Sequence, residues 1–168
     1  LTKVRPTRVS LRRDWHRNNW WLHGDPRPAL RRAIAPLRRQ ILTPRVSKHR
    51  LFLWSSIAVL ADSAVVAIAR DDDTTFGILH SRAHELWALR LGTWLGVGDD
   101  PRYTPSTTFE TFPFPEGLEP DVAPAEYLSD PKAIAIANAA KHLNELRENW
   151  LNPPNLVRRE QDVVPGYP

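Results

Sequence analysis

Seven prolines fall between Pro101 and Pro131, and no other feature constrains this chain more. Proline cannot donate to a strand ladder and clashes with the preceding helical turn. The stretch therefore has room for one short strand, expected at Thr107 to Phe112. The rest reads as irregular but ordered chain, laid over a surface by Tyr103, Phe109, Phe112 and Phe114. Regular structure has to be found on either side of it.

Upstream, Pro26 and Pro28 precede Leu30, Ile34, Leu37 and Ile41, spaced by three or four. This predicts an amphipathic helix that starts on prolines, where a missing N–H costs nothing, and that Pro36 kinks or shortens. Its outer face is Arg31, Arg32, Arg38 and Arg39. From Ile41 to Ser47 the chain is expected to be extended, because Pro44 disfavours helix at its predecessor. Arg50 to Ser55 and Ala64 to Ala69 read as strands, with a turn near Ala61 to Ser63. Asp71 to Thr75 signals a helix start, and Phe76, Leu79, Ala83, Leu86, Trp87 and Leu91 form one face of a helix ending at Gly92 or Gly96. Downstream, Asp130 and Pro131 make a cap followed by a proline in the first turn. The helix they open runs to about Trp150, with a stripe of Ile134, Ala137, the Lys141 stem, Leu143 or Asn144, and Leu146 to Trp150. Pro153 and Pro154 end it. The expected fold is α+β: a small, mostly antiparallel sheet, about three helices and an extended basic N-terminal arm. Its expected divisions are a lead-in at 1–26, a main domain at 27–129, a C-terminal helix at 130–152 and a tail at 153–168.

Charge is distributed unevenly along this frame. Residues 1–50 hold fourteen Lys or Arg against Asp14 and Asp25, a balance of +12, whereas the remaining 118 hold nine basic and seventeen acidic side chains, a balance of −8. Trp15, Trp20 and Trp21 lie within the basic half. Such asymmetry points to a polyanionic partner at the basic end, or to a solvated basic arm. Absence of cysteine removes disulfides, thiolate zinc sites and thiol nucleophiles, and suits a reducing cytosol. No apolar run approaches the roughly 20 residues of a membrane span, and no signal-peptide core is visible. The chain is expected to be a cytoplasmic piece of something longer, since it opens on Leu1.

Four strings invite a chemical reading. Asn152-Pro-Pro-Asn155 approximates the amino-methyltransferase motif, but Asn155 stands where an aromatic should stack on the flipped base, and a helix stop explains it better. Asp121 with Asp130-Pro131-Lys132 approximates a magnesium nuclease pattern, but Pro131 cannot sit in the required strand and the string suits a helix start. His80 and His84 share a helix face beside Glu85, but no third metal ligand is obvious, so a hydrogen-bonded histidine packed by Trp87 is expected. In the basic run from Pro44 to Arg50, an extended backbone sends Arg45, Ser47 and His49 one way and Val46, Lys48 and Arg50 the other. One set can line a groove with donors to phosphates or guanine edges, or the run can be an edge strand guarded by charge.

Several strings together resemble one family: Trp20-Trp-Leu…Pro28-Ala-Leu-Arg-Arg, Thr43-Pro-Arg-Val-Ser-Lys-His-Arg-Leu-Phe-Leu-Trp54, Phe76-Gly-Ile-Leu-His-Ser-Arg-Ala-His-Glu-Leu-Trp87, Arg102-Tyr-Thr-Pro-Ser-Thr-Thr-Phe-Glu-Thr-Phe-Pro-Phe-Pro115 and Glu145-Leu-Arg…Trp150-Leu-Asn-Pro-Pro154. Over residues 15–155 the chain is similar to the C-terminal target-recognition region of single-chain adenine-specific DNA methyltransferases, including type II enzymes that combine restriction and modification. The resemblance implies a double-stranded DNA reader without catalytic residues, metal or cofactor of its own. S-adenosylmethionine and the catalytic motif would belong to an N-terminal methyltransferase domain of the parent. It also implies DNA contacts from Arg45, Ser47, Lys48, His49 and Arg50, joined by Arg102, Tyr103, Ser106, Thr107 and Thr108. The alternative is a basic protein-interaction module without DNA specificity.

Overall fold

A computed structural model describes residues 14–21, 27–95 and 100–158. Much of the expected N-terminal arm, Gly96 to Gly98 and the end of the tail from residue 159 lie outside the described residues. The chain forms two compact units, 1–33 and 34–168. In the first, a short helix α1 (Asp14–Asn18) is followed by an edge-on contact between the rings of Trp20 and Trp21.

Helix α2 (Pro28–Ile34) starts on Pro28 and stops two residues before Pro36. The expected helix through Ile41 is thus cut short, because Pro36 removes a helical donor and crowds the preceding turn. Ile41 instead lies fully buried in strand β1 (Arg39–Pro44), where its spacing from Ile34 and Leu37 has no helical meaning. Strand β1 is the centre of an antiparallel sheet, flanked by β2 (Leu53–Ser56) and β3 (Val65–Ile68) in the order β2-β1-β3. Register sets Ile41 opposite both Trp54 and Ile68. Buried Gln40 donates to Ser56 O at 3.0 Å and Val59 O at 2.7 Å, so its amide ties down the β2–β3 connection.

The helix expected through residues 76–91 is two helices, α3 (Asp73–His80) and α4 (Arg82–Leu91). Ser81, extended at ψ 149°, closes the first and caps the second by accepting from the His84 N–H. The break resets the period. Phe76, Ile78, Leu79, His84 and Ala88 are buried, while Leu86 and Leu91, expected inside, are exposed. Asp72 caps α3, accepting from the Thr75 N–H at 2.7 Å.

Helix α6 (Pro131–Leu151), capped by Asp130 as expected, packs on α3. Its buried side is made by the small residues Ala133 and Ala140, with Ile136 beside them. A Cβ on Gly77 would come within 2.7 Å of Ile136 Cγ2 and 3.0 Å of its carbonyl, so the two helices meet backbone to backbone. The expected stripe of Ile134, Leu143, Leu146 and Trp150 is exposed, because that close approach selects the alanine face. Asn152 closes the helix, its N–H donating to Glu148 O at 2.8 Å.

Gly92 ends α4 and leads into a two-stranded ribbon of β4 (Thr93–Leu95) and β5 (Asp100–Arg102). Beyond it, Pro105–Thr108 forms a helical turn, α5, rather than the expected strand: Pro105 occupies the first turn and Thr108 Oγ1 donates back to Thr104 O at 2.8 Å. The proline-rich chain that follows wraps as foreseen, with Phe112 and Phe114 packed on the core and one 3-10 turn at Pro124–Tyr127. The architecture is α+β: among the described residues there are a small antiparallel sheet, a second two-stranded one, and three helices of eight residues or more.

Candidate nucleic-acid interface

The basic run begins where β1 leaves one sheet and joins the other. Arg45 takes the Ala64 carbonyl through its N–H at 2.7 Å, on the β3 side, and its own carbonyl accepts from the Tyr103 N–H at 2.7 Å. Val46 bridges Arg102 and the Ser47 N–H donates to Pro101 O at 3.3 Å, so residues 45–47 lie alongside β5. The segment is therefore not a free edge. It is the middle of a continuous connection between the two sheets.

Side chains within it divide into two kinds. Arg50 turns inward. It donates to Thr43 Oγ1 at 3.1 Å, to Pro101 O at 3.2 Å and to Pro44 O, and its guanidinium lies 4.9 Å from the centre of the Tyr103 ring. Burial lowers its pKa and the nearby phenol raises it in part. Arg45 is likewise engaged, with Nε donating to Ser63 O at 2.9 Å. Lys48 and His49 are exposed, and the Ser47 hydroxyl donates to His49 O at 2.8 Å, which holds the turn between them. So the expected set separates: Arg50 is a clamp, and Lys48 and His49 are presented by it.

Beside the run lies a buried polar network that takes in Tyr103 and Thr108, both expected on the DNA-contacting surface, together with His84, expected to be hydrogen-bonded inside. Tyr103, expected to touch DNA, is 1% exposed, and its hydroxyl meets His84 Nε2 at 3.1 Å. His84 Nδ1 lies 2.9 Å from Leu79 O, so Nδ1 carries the proton and Nε2 accepts from the phenol. Desolvation drives the His84 pKa down to about 4, against a smaller opposing pull from the Leu79 carbonyl, and raises that of Tyr103. Phe52, Tyr103 and Phe112 surround His84, whereas Trp87, its expected neighbour, packs on Phe112 and donates to Thr111 Oγ1 at 3.2 Å. Thr108 is fully buried as well. Tyr103 and Thr108 are thus interior groups that position the ribbon, and they leave the contact surface. Tyrosine at a buried site finds a partner for its hydroxyl, and the cue lay in His84, able to supply it.

Ser106 and Thr107 remain exposed on α5. Arg102 is half-buried in β5, and its Nε is buried with no hydrogen-bond partner. The exposed β4 residues Thr93, Trp94 and Leu95 adjoin it and were missed by the sequence reading, because a three-residue strand is too short to show alternation.

A separate cleft of about 310 Å³ opens at the start of α3. Its charges neutralise one another: Arg39 reaches Asp73 at 2.8 Å, and Lys141 lies 3.9 Å from the same carboxylate. Among the described residues no cluster of three His, Asp or Glu could hold a metal ion. Gly96 and Gly98, the nearest approach of this chain to a glycine-rich cofactor loop, fall in sequence between β4 and β5 and outside the described residues. No helix among the described residues is long and apolar enough to cross a membrane.

No protein-family model matches the chain, no curated protein matches it significantly in sequence, and no solved structure matches it significantly in fold.

Proposed function

We propose that this protein is a double-stranded DNA recognition module of an adenine-specific DNA methyltransferase of the restriction-modification kind. It holds the duplex for a catalytic domain elsewhere in the parent chain. The observation that carries the reading is the basic connection 45–50: Arg50 is locked to Thr43, Pro44 and Pro101, and Lys48 and His49 are exposed from that fixed support. Positive groups on a rigid backbone suit phosphate contacts, which fix register on the duplex. Sequence resemblance supplies the enzyme class, and with it the partner: an N-terminal methyltransferase domain, working in the cytoplasm, that binds S-adenosylmethionine and receives the flipped adenine.

Titration of the protein with fluorescently labelled duplex DNA at several salt concentrations tests the reading. Binding should weaken as salt rises, with log K falling linearly against log salt. Absence of salt-dependent duplex binding would count against it and favour a basic surface that docks on acidic protein. Calorimetry with S-adenosylmethionine should show no binding to this chain.

A further inference from the structure

The ribbon beside the basic run contains a charge that the fold does not use. Among the described residues the Arg102 guanidinium makes no hydrogen bond or ion pair, and its Nε is buried without a partner. Arg147 also has an unpartnered buried Nε, but its other two nitrogens donate to Phe52 O at 2.9 Å and Asn144 Oδ1 at 2.7 Å. Partly desolvating a cation without a partner is costly, and such a group calls for an explanation, an absent ligand among them.

The register shows what surrounds it. Arg102 pairs with Thr93 on one side and with Val46 on the other. Residues directly opposite one another in adjoining strands share a face. Pro101 and Tyr103, on either side of Arg102, are buried, so alternation puts Arg102, Thr93 and Val46 together on the outer face. Val46 and Thr93 are exposed. With strands about 4.8 Å apart the row spans about 10 Å. A B-DNA major groove is about 12 Å wide and admits a two-stranded β-ribbon.

We infer that Val46, Arg102 and Thr93 form a base-reading row, in which Arg102 donates two hydrogen bonds to the O6 and N7 edge of a guanine in the major groove. The inference rests on the duplex-binding reading above and deepens it: Lys48 and His49 hold the backbone, and this row reads sequence. Arginine suits the task because its planar fork matches the two guanine acceptors, while Val46 and Thr93 offer methyl groups to a thymine and Thr93 a hydroxyl to either neighbour. Charge complementarity favours nucleic acid as the occupant, since the row adjoins Ser47 and exposed Lys48.

The test is selection from a random pool of duplexes, followed by affinity measurements on selected and scrambled sequences at several salt concentrations. The protein should select a site containing a fixed G·C pair. Arg102→Ala should lower affinity for that site by about 5- to 150-fold, relax preference at that one pair and leave scrambled DNA bound as before. Arg102→Lys, which keeps the charge and the stem but not the planar fork, should weaken the same preference and leave the salt slope unchanged; it decides the matter should Arg102→Ala fail to fold. Thr93→Val should change preference at an adjoining pair only. An equal loss on all sequences, with the salt slope reduced by one, would make Arg102 a phosphate contact and overturn the inference. Duplex binding without any selected sequence would overturn it and leave the duplex-binding reading standing, whereas no duplex binding at all would remove both.

Discussion

Arg70 and Arg102 belong to two regions of one unit that treat a half-sequestered arginine in opposite ways. Arg70, at the end of β3, is 9% exposed and fully served. Its Nε donates to Asp72 at 2.9 Å, one terminal nitrogen donates to Pro120 O at 2.9 Å and Val122 O at 2.8 Å, and the other donates to the Tyr127 hydroxyl. Tyr127 in turn donates to Asp72 at 3.0 Å, its pKa raised by burial and by that carboxylate. This one guanidinium fastens the proline-rich wrap to the start of α3. Arg102, on the ribbon, has no such set. A buried charge with a complete set of partners organises structure, and one without partners is available to a ligand. The residue type is the same; what differs is the burial and the set of acceptors each meets, Arg70 just beyond β3 and Arg102 at the end of β5.

The largest effect should come from breaking the served region. Arg70→Ala takes from Asp72 one of its three donors and leaves the Pro120 and Val122 carbonyls without theirs, and removal of one partner from a buried pair costs about 3–5 kcal/mol. Denaturant unfolding should show that loss, while Arg102→Ala should leave the midpoint nearly unchanged. Equal midpoints for the two variants would mean that the Arg70 network adds nothing, and the contrast would fail.

A pH titration examines the network under the ribbon. His84 holds a pKa of about 4 in the fold against 6.5 in the unfolded chain, because burial disfavours its charged form. Between those values the unfolded chain binds a proton that the folded one refuses. Stability is therefore full above pH 6.5 and falls by about 3 kcal/mol as the pH drops to about 4. His80, lowered by burial in the same direction, adds to the slope. Unfolding midpoints measured from pH 7.5 to 4 should show it, and His84→Gln should flatten most of it.

Gly92→Ala comes next. A Cβ there would lie 2.5 Å from Ala88 O and 2.8 Å from Arg102 O, and neither carbonyl can swing aside as a side chain would. A cost of about 1–3 kcal/mol is expected for such overpacking. The substitution should also shift β5, so duplex selectivity should suffer along with stability, and selection experiments on the folded variant would show it.

Those effects also mark where the sequence could be read. Caps are local, so Asp72 and Asp130 were visible from a few residues, as were the end of α6 at Asn152 and the strand at Val65–Ile68. Period was less safe. Ile34, Leu37 and Ile41 fit a helix by spacing, yet Pro36 separates them into a helix and a strand. Ser81 divides α3 from α4 in the same way, through a side-chain cap that a continuous apolar pattern hides. The alanine face of α6 followed from Gly77, a packing partner more than fifty residues away. The candidate surface was legible as a string but not as a surface: Lys48, His49, Ser106 and Thr107 are exposed, while Arg50 and Tyr103 face inward because Pro101 and His84 claim them, and Thr108 is buried with its hydroxyl turned back on Thr104 O. Thr93 reached the site only through strand pairing, which no local pattern specifies.

The smallest effect separates presentation from support within the basic run itself. Lys48 is exposed and makes no hydrogen bond or ion pair among the described residues, so Lys48→Ala should change stability by less than about 0.5 kcal/mol. If its ammonium meets a phosphate, the variant should bind every duplex more weakly by a similar factor, and the slope of log K against log salt should drop by about one unit. Base preference should stay as in the parent protein, since a phosphate contact is blind to sequence. Affinity measured on selected and scrambled duplexes over a range of salt separates the outcomes. A change in base preference would move Lys48 into the reading row and blur the division between the run and the ribbon. An unchanged slope would mean that Lys48 only keeps the β1–β2 connection solvated, and the phosphate contacts would then fall to His49 and to the hydroxyls of Ser106 and Thr107.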